Sequence, residues 1–241
     1  MKDLSSRRAV MPDTHWSVVH RLTSPDTTVR GAALAEVCRT YWQPLYTLAR
    51  AWGRSPADAE DLTQGFLADL CARGDLGEVS PARGRFRSLL MIAFKNHLTD
   101  TVRQAQAQRR GGGREVVPLE FAGAEQRFQR TLAVETDHAA LFDRQWAMTL
   151  VQRATATCRD EFVHRGKAAE FDALEAVLAP GPDAPGYEEL GRRLGRSEAA
   201  IATKVKRLRL LFGQHLRRAV ADTVAGPADV DEELKYLIRL L

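Results

Sequence analysis

The chain has 241 residues, 44% of them apolar, and a formal net charge of +4. That is enough apolar material for one large core or two small ones, and too little net charge for the sum to identify a partner, so the distribution of charge carries the information. Cys38, Cys71 and Cys158 are scattered and form no CxxC, which excludes a disulfide framework and a structural zinc, and no apolar run is long enough to span a bilayer.

Strand signals are nearly absent and helical spacing recurs throughout, so the expected fold class is all-α. The opening MKDLSSRRAVMPD lacks the apolar core of a secretory leader, which points to a soluble protein of the reducing cytoplasm. Residues 1–15 are expected to be a mobile extension. In PDTHWSVVHRL, Trp16, Val19 and Leu22 share a helical phase and should pack on the first domain. Trp42, Leu45, Tyr46, Ala49 and Trp52 then form the stripe of a buried helix face.

Gly53 and Ser55-Pro56 end that helix. Ser55 is placed to cap the next one, with Pro56 at its first position. In SPADAEDLTQGFLADL the carboxylates Asp58, Glu60 and Asp61 sit where the helix dipole favours them, and Leu62, Phe66, Leu67 and Leu70 face inward. Adjacent Glu60 and Asp61 point about 100° apart on a helix, and no His or Cys joins them, so neither a metal nor a catalytic site is expected. A glycine-rich loop follows. A long helix then runs from about Gly84 to Arg110, burying Phe86, Leu90, Ala93 or Phe94, His97 or Leu98, and Thr101.

Charge reverses between these two helices. Residues 55–80 carry Asp58, Glu60, Asp61, Asp69, Asp75 and Glu78 against Arg73. Residues 81–114 carry Arg83, Arg85, Arg87, Lys95, Arg103, Arg109, Arg110 and Arg114 against Asp100. Cations for phosphates beside the polar Asn96 and Thr99 suit nucleic acid, although a solvated charged face has the same composition.

RRGGGREVVP breaks the chain before a stretch, residues 111–138, with five acidic residues, Glu115, Glu120, Glu125, Glu135 and Asp137. A helix from Leu141 to about Gly166 follows, with Trp146, Leu150, Val151 and Phe162. APGPDAPG interrupts again. Beyond it, Tyr187 to Leu194 reads as a short helix ended by Gly195, and Ser197 caps a second that starts at Glu198. Leu190 and Leu194 face Ile201, Val205 and Leu208, which makes a helix-turn-helix over residues 187–210. Ser197, Ala199, Ala200, Thr203, Lys204 and Arg207 lie off the apolar face for base edges in a major groove, with Lys206 and Arg209 toward phosphates. The tail, residues 221–241, carries Val230, Leu234, Leu237, Ile238 and Leu241 as an apolar stripe expected to pack on the chain itself, the alternative being a surface for a partner.

Taken together, TYWQPLYTLARAWG, SPADAEDLTQGFLADL and RGRFRSLLMIAFKNHLTDTVRQ, in that order, resemble domain two of a sigma-70-type RNA polymerase sigma factor, and YEELGRRLGRSEAAIATKVKRLRLLFGQHL resembles domain four. With nothing like domains one or three, the chain is similar to the extracytoplasmic-function (ECF) group over roughly half its length. The resemblance implies two helical domains, 16–110 and 139–220, joined by a flexible linker, 111–138. It implies a non-enzymatic protein without cofactor that binds core RNA polymerase and directs promoter recognition and transcription initiation. Asp58, Glu60, Asp61 and Gln64 would contact the β′ clamp helices, and domain four the β flap.

The same resemblance assigns the −10 promoter DNA to Arg83, Arg85, Arg87, Lys95, Asn96, Thr99 and Arg103, with the loop near 73–85 capturing a flipped base. The −35 duplex falls to the helix-turn-helix. Phe86 and Phe94 are the aromatics near enough to stack on bases, unless they belong to the core. The acidic linker either follows the polymerase cleft as a nucleic-acid mimic or is a loose tether. An anti-sigma protein or a Ser/Thr kinase is a further candidate partner, with Thr63 as a phosphosite. The alternative reading is a stand-alone helix-turn-helix transcriptional regulator.

Overall fold

The computed structural model describes residues 17–22, 24–73, 85–107, 123–132, 137–178, 184–224 and 226–241. They are all-α, with no strand among them. The order is α1 (Ser17–Leu22), α2 (Thr27–Ala51), α3 (Pro56–Arg73), α4 (Phe86–Ala107), α5 (Ala124–Leu132), α6 (His138–His164), α7 (Ala168–Leu174) with a 3₁₀ turn (Glu175–Val177), α8 (Tyr187–Leu194), α9 (Glu198–Ala221) and α10 (Pro227–Leu240). None is long and apolar enough to cross a membrane.

α2 is the central element. Asp26 caps it by accepting from the amides of Thr28 and Val29 at 2.8 and 3.3 Å. Every residue from Thr40 to Ala49 is buried, so helices surround it on all sides rather than along one stripe. That enclosure explains how the helix continues through Pro44, which removes an amide donor in mid-helix. Val18 and Leu22 of α1 belong to the core around it, Leu22 as expected and Val18 in addition; Trp16 and the side chain of Val19 lie outside the described residues. On α4 the buried set is Phe86, Leu90, Phe94 and Leu98, a strict four-residue repeat, and Ala93 is exposed.

The described residues form two hydrophobic cores, whose division does not fall at the linker. The larger joins α1 to α4 with Phe128 of α5, with Phe142, Trp146, Leu150 and Ala154 of α6, with Leu216 and Val220 of α9, and with Val230 and Leu237 of α10. The smaller gathers Cys158, Phe171, Leu174, Val177, Leu190, Ile201, Val205 and Leu208 around the helix-turn-helix. The division therefore falls within α6, between Ala154 and Cys158, and within α9, between Leu208 and Leu216. Phe212 packs against both cores. His215 on α9 meets Glu161 on α6 at 2.8 Å near this joint.

The described part of the linker is neither a loose tether nor an open acidic arm. α5 docks on α2. Glu125 receives Arg50 at 2.7 and 2.8 Å and the Tyr46 hydroxyl at 2.7 Å, and Arg50 also lies over the ring of buried Phe128. Asp137 caps α6, with its carboxylate on the amides of Ala139 and Ala140. Glu115, Glu120 and Glu135 lie outside the described residues.

The hydrogen bonds from Arg50, foremost, hold the Glu125 carboxyl at about 2, below its ordinary 4.5. Its folded value being depressed, the stability it adds is complete above pH 4.5 and is lost as pH falls toward 2. The melting-temperature gap between wild type and Glu125→Gln should therefore close between pH 5 and pH 2. A gap that stays constant across that window would contradict the ionised docking of α5.

The tail also packs inward, with its phase shifted from the expected one. Val230 and Leu237 are buried and Leu234 and Leu240 partly so, but Ile238 and Leu241 are 67% and 53% exposed. The inward position between Val230 and Leu237 is filled by a charged residue, Glu233.

Candidate functional site

The helix-turn-helix is built by its turn. Gly195 takes the left-handed conformation, φ 61°, and its amide bonds the Gly191 carbonyl, as does that of Arg196 at 2.9 Å. Ser197 then caps α9, its hydroxyl accepting from the Ala200 amide at 3.3 Å. The sequence predicted both boundaries. It missed why Gly191 is required: a Cβ there would sit 2.7 Å from the Arg196 carbonyl oxygen.

Backbone cannot move aside as a side chain can. Overpacking of this kind costs about 1–3 kcal/mol, against about 1 kcal/mol that alanine gains over glycine inside a helix. Gly191→Ala should therefore lower the melting temperature of the chain and weaken duplex-DNA binding, whereas Arg192→Ala on the exposed side of α8 should leave the melting temperature unchanged. A Gly191→Ala chain at least as stable as wild type would contradict the close turn.

The outer face of α9 begins with small residues. Ser197, Ala199, Thr203 and Arg207 are exposed and Ala200 is partly so. Thr203 donates its hydroxyl hydrogen to the Ala199 carbonyl at 3.0 Å. Two of the cations expected there are engaged. Lys204 pairs with Glu170 of α7 at 2.7 Å. Arg209, exposed in part of its length, donates to the Val177 carbonyl at 3.2 and 3.4 Å and so ties α9 to the end of the 3₁₀ turn. Lys206 and Arg207 remain exposed.

α3 presents its acids as predicted, with one exception. Ser55 accepts from the Asp58 amide at 3.2 Å and donates to the Asp58 carboxylate at 2.7 Å, which fixes the helix start. Asp58 and Asp61 are exposed and Glu60 half so, but Gln64 is only 6% exposed and belongs to the inner face. It cannot serve as a surface contact in this arrangement. Thr63 is fully buried, its hydroxyl bonded to the Ala59 carbonyl at 2.7 Å, which excludes it as a phosphosite in the folded chain. Among the described residues no group of three or more His, Cys, Asp or Glu is placed to hold a metal ion.

α4 departs furthest from expectation. Asn96 and Thr99 are exposed, and Lys95 lies 5.5 Å from the centre of the Trp52 ring. Phe86 and Phe94 are core residues, 1% and 0% exposed, so neither can stack on a base. Arg87 is buried as well. Its Nε meets Asp143 of α6 at 2.9 Å, another of its nitrogens pairs with Glu233 of α10, and its guanidinium lies 4.8 Å from the rings of both Trp146 and Tyr236. Arg85 meets the second oxygen of Glu233 at 2.9 Å. Tyr236 completes the network by donating to Asp143 at 2.5 Å; burial, and then this bond, raise its hydroxyl above the usual tyrosine range. Arg83 and the loop 74–84 lie outside the described residues, as does the side chain of Arg103.

The sequence did carry one trace of this network. Glu233 occupies an inward position of an amphipathic helix, where a lone acid needs a buried cation. Nothing local in the sequence says that Arg87 is that cation.

No family model, no curated protein and no solved structure matches the chain.

Proposed function

We propose that the chain is an ECF-type sigma factor: it binds core RNA polymerase and directs it to promoters, reading a −35 duplex with the helix-turn-helix and a −10 element with α4 and the segment before it. The observation that carries the reading is the helix-turn-helix over residues 187–210, with its glycine turn, its Ser197 cap and the small, exposed entry face of Ser197, Ala199 and Thr203. An exposed acidic helix start at Asp58, Glu60 and Asp61 accompanies it and suits a basic partner surface. The resemblance of the sequence to sigma domains two and four joins these two surfaces into one function. Such a protein needs no chemistry of its own; it recruits polymerase and holds an opened strand.

The test is transcription in vitro. Bacterial core polymerase with this chain should start RNA at a small set of discrete positions on genomic DNA from the source cell, and core alone should not. A chain that binds duplex DNA tightly by itself and leaves polymerase start sites unchanged is instead the stand-alone regulator.

A further inference from the structure

We propose that α10 is an intramolecular latch: Glu233, seated between Arg85 and Arg87, holds the start of α4 against α6, buries Arg87 and occupies the charge of the part-exposed Arg85, so that neither serves nucleic acid until α10 is displaced. The inference rests on the sigma reading and adds a regulated state to it. The Glu233 carboxylate, 1% exposed, lies between the Arg85 and Arg87 guanidinium groups as their counter-ion, and a phosphate would be attracted by the same two charges. Arg85 and Arg87 stand at the first turn of α4, where the helix dipole disfavours cations, so their position is stabilised by an anion from elsewhere. α10 supplies it.

The latch also spans the joint of the molecule. α10 packs on α6 and α9 and bonds to α4, so it ties the larger core across both long helices. α10 is the piece suited to move: its N-cap, Gly226, offers no side-chain cap, and its outer face ties to α9 through the exposed pair Arg217–Asp231 at 2.6 Å.

The experiment titrates the full wild-type chain and Glu233→Gln into a fluorescent random-sequence single-stranded 20-mer, by anisotropy, across a range of salt. The variant should bind at least about tenfold tighter. Its log K against log salt should be steeper by about 1.4, the increment for two further phosphate contacts on a single strand. Adding Arg85→Ala to the variant should remove about half of that increment. Equal affinity and slope in a folded Glu233→Gln chain overturn the latch; tighter binding without a steeper slope does so too, because the arginines are then not what was released. Should circular dichroism show Glu233→Gln unfolded, Tyr236→Phe takes its place, with a smaller gain in the same direction.

Hydrogen exchange on the wild type is the second arm. Amides 230–240 should be protected in the free chain and lose protection with saturating 20-mer; retained protection overturns the proposal. The two failures are distinguishable. A chain that forms no complex with core polymerase defeats the sigma reading whatever the slope, and a chain that forms the complex but shows no change in slope defeats the latch alone.

Discussion

Arg87→Ala is expected to destabilise the chain by about 3–5 kcal/mol, because it removes one member of a buried charge network and leaves the others in place. Arg87 is 3% exposed and ties three elements: α4, which carries it, α6 through Asp143, and α10 through Glu233. Without it, Glu233 keeps only Arg85, and Asp143 keeps the Tyr236 hydroxyl. At about 2–4 °C per kcal/mol for a chain of this size, the melting temperature should fall by about 6–20 °C. Most of this loss is the cost of stranding buried carboxylates rather than the net worth of the pair. Replacing Arg87 and Glu233 together, by Met and Leu, should therefore cost less than Arg87→Ala alone. A single substitution costing under about 1 kcal/mol, or a double variant that merely adds the two losses, would show that the network is not closed in solution.

Glu60→Arg with Asp61→Arg should leave the fold intact and abolish binding to core polymerase. Both carboxylates sit on the outer side of α3, half or fully exposed, and neither forms an ion pair among the described residues. Exposed substitutions of this kind cost little stability, within about 0.5 kcal/mol. Against a basic partner surface, however, each reversal exchanges an attraction for a like-charge contact, and like charges across an interface cost several kcal/mol. Two such changes amount to a loss of at least about 100-fold in affinity, since each 1.4 kcal/mol is about tenfold. Asp58 is the poorer choice for this test, because it shares the cap with Ser55 and its loss would also weaken the helix start.

The elements that the sequence made legible are those governed by local rules. The helix-turn-helix boundaries follow from Gly195 and Ser197, whose conformations depend on their own residue types. The start of α3 follows from Ser55-Pro56 in the same way. The four-residue repeat of α4 appears as Phe86, Leu90, Phe94 and Leu98. Long-range pairing stayed hidden. Composition made Arg87 look like one more cation in a solvent-facing stripe, and only packing places Asp143 and Glu233 beside it, 56 and 146 positions away along the chain. Gln64 and Thr63 were misjudged for a related reason. Polar residues next to acids look exposed, yet α3 is nearly enclosed along that face, and Thr63 satisfies itself on the Ala59 carbonyl. The acidic linker looked open because the groups that anchor α5 are far away in the sequence: Arg50 and Tyr46 lie some 75 to 79 residues earlier.

The central claim is that the acidic start of α3 docks this chain on core RNA polymerase. The direct measurement is size-exclusion chromatography of bacterial core polymerase mixed with wild type or with Glu60→Arg/Asp61→Arg, after circular dichroism has shown both chains equally folded. The account predicts that wild type co-elutes with core as a stable complex and that the double reversal elutes alone. A folded wild-type chain that never joins core polymerase would contradict it and leave the helix-turn-helix as the DNA-binding part of a stand-alone regulator.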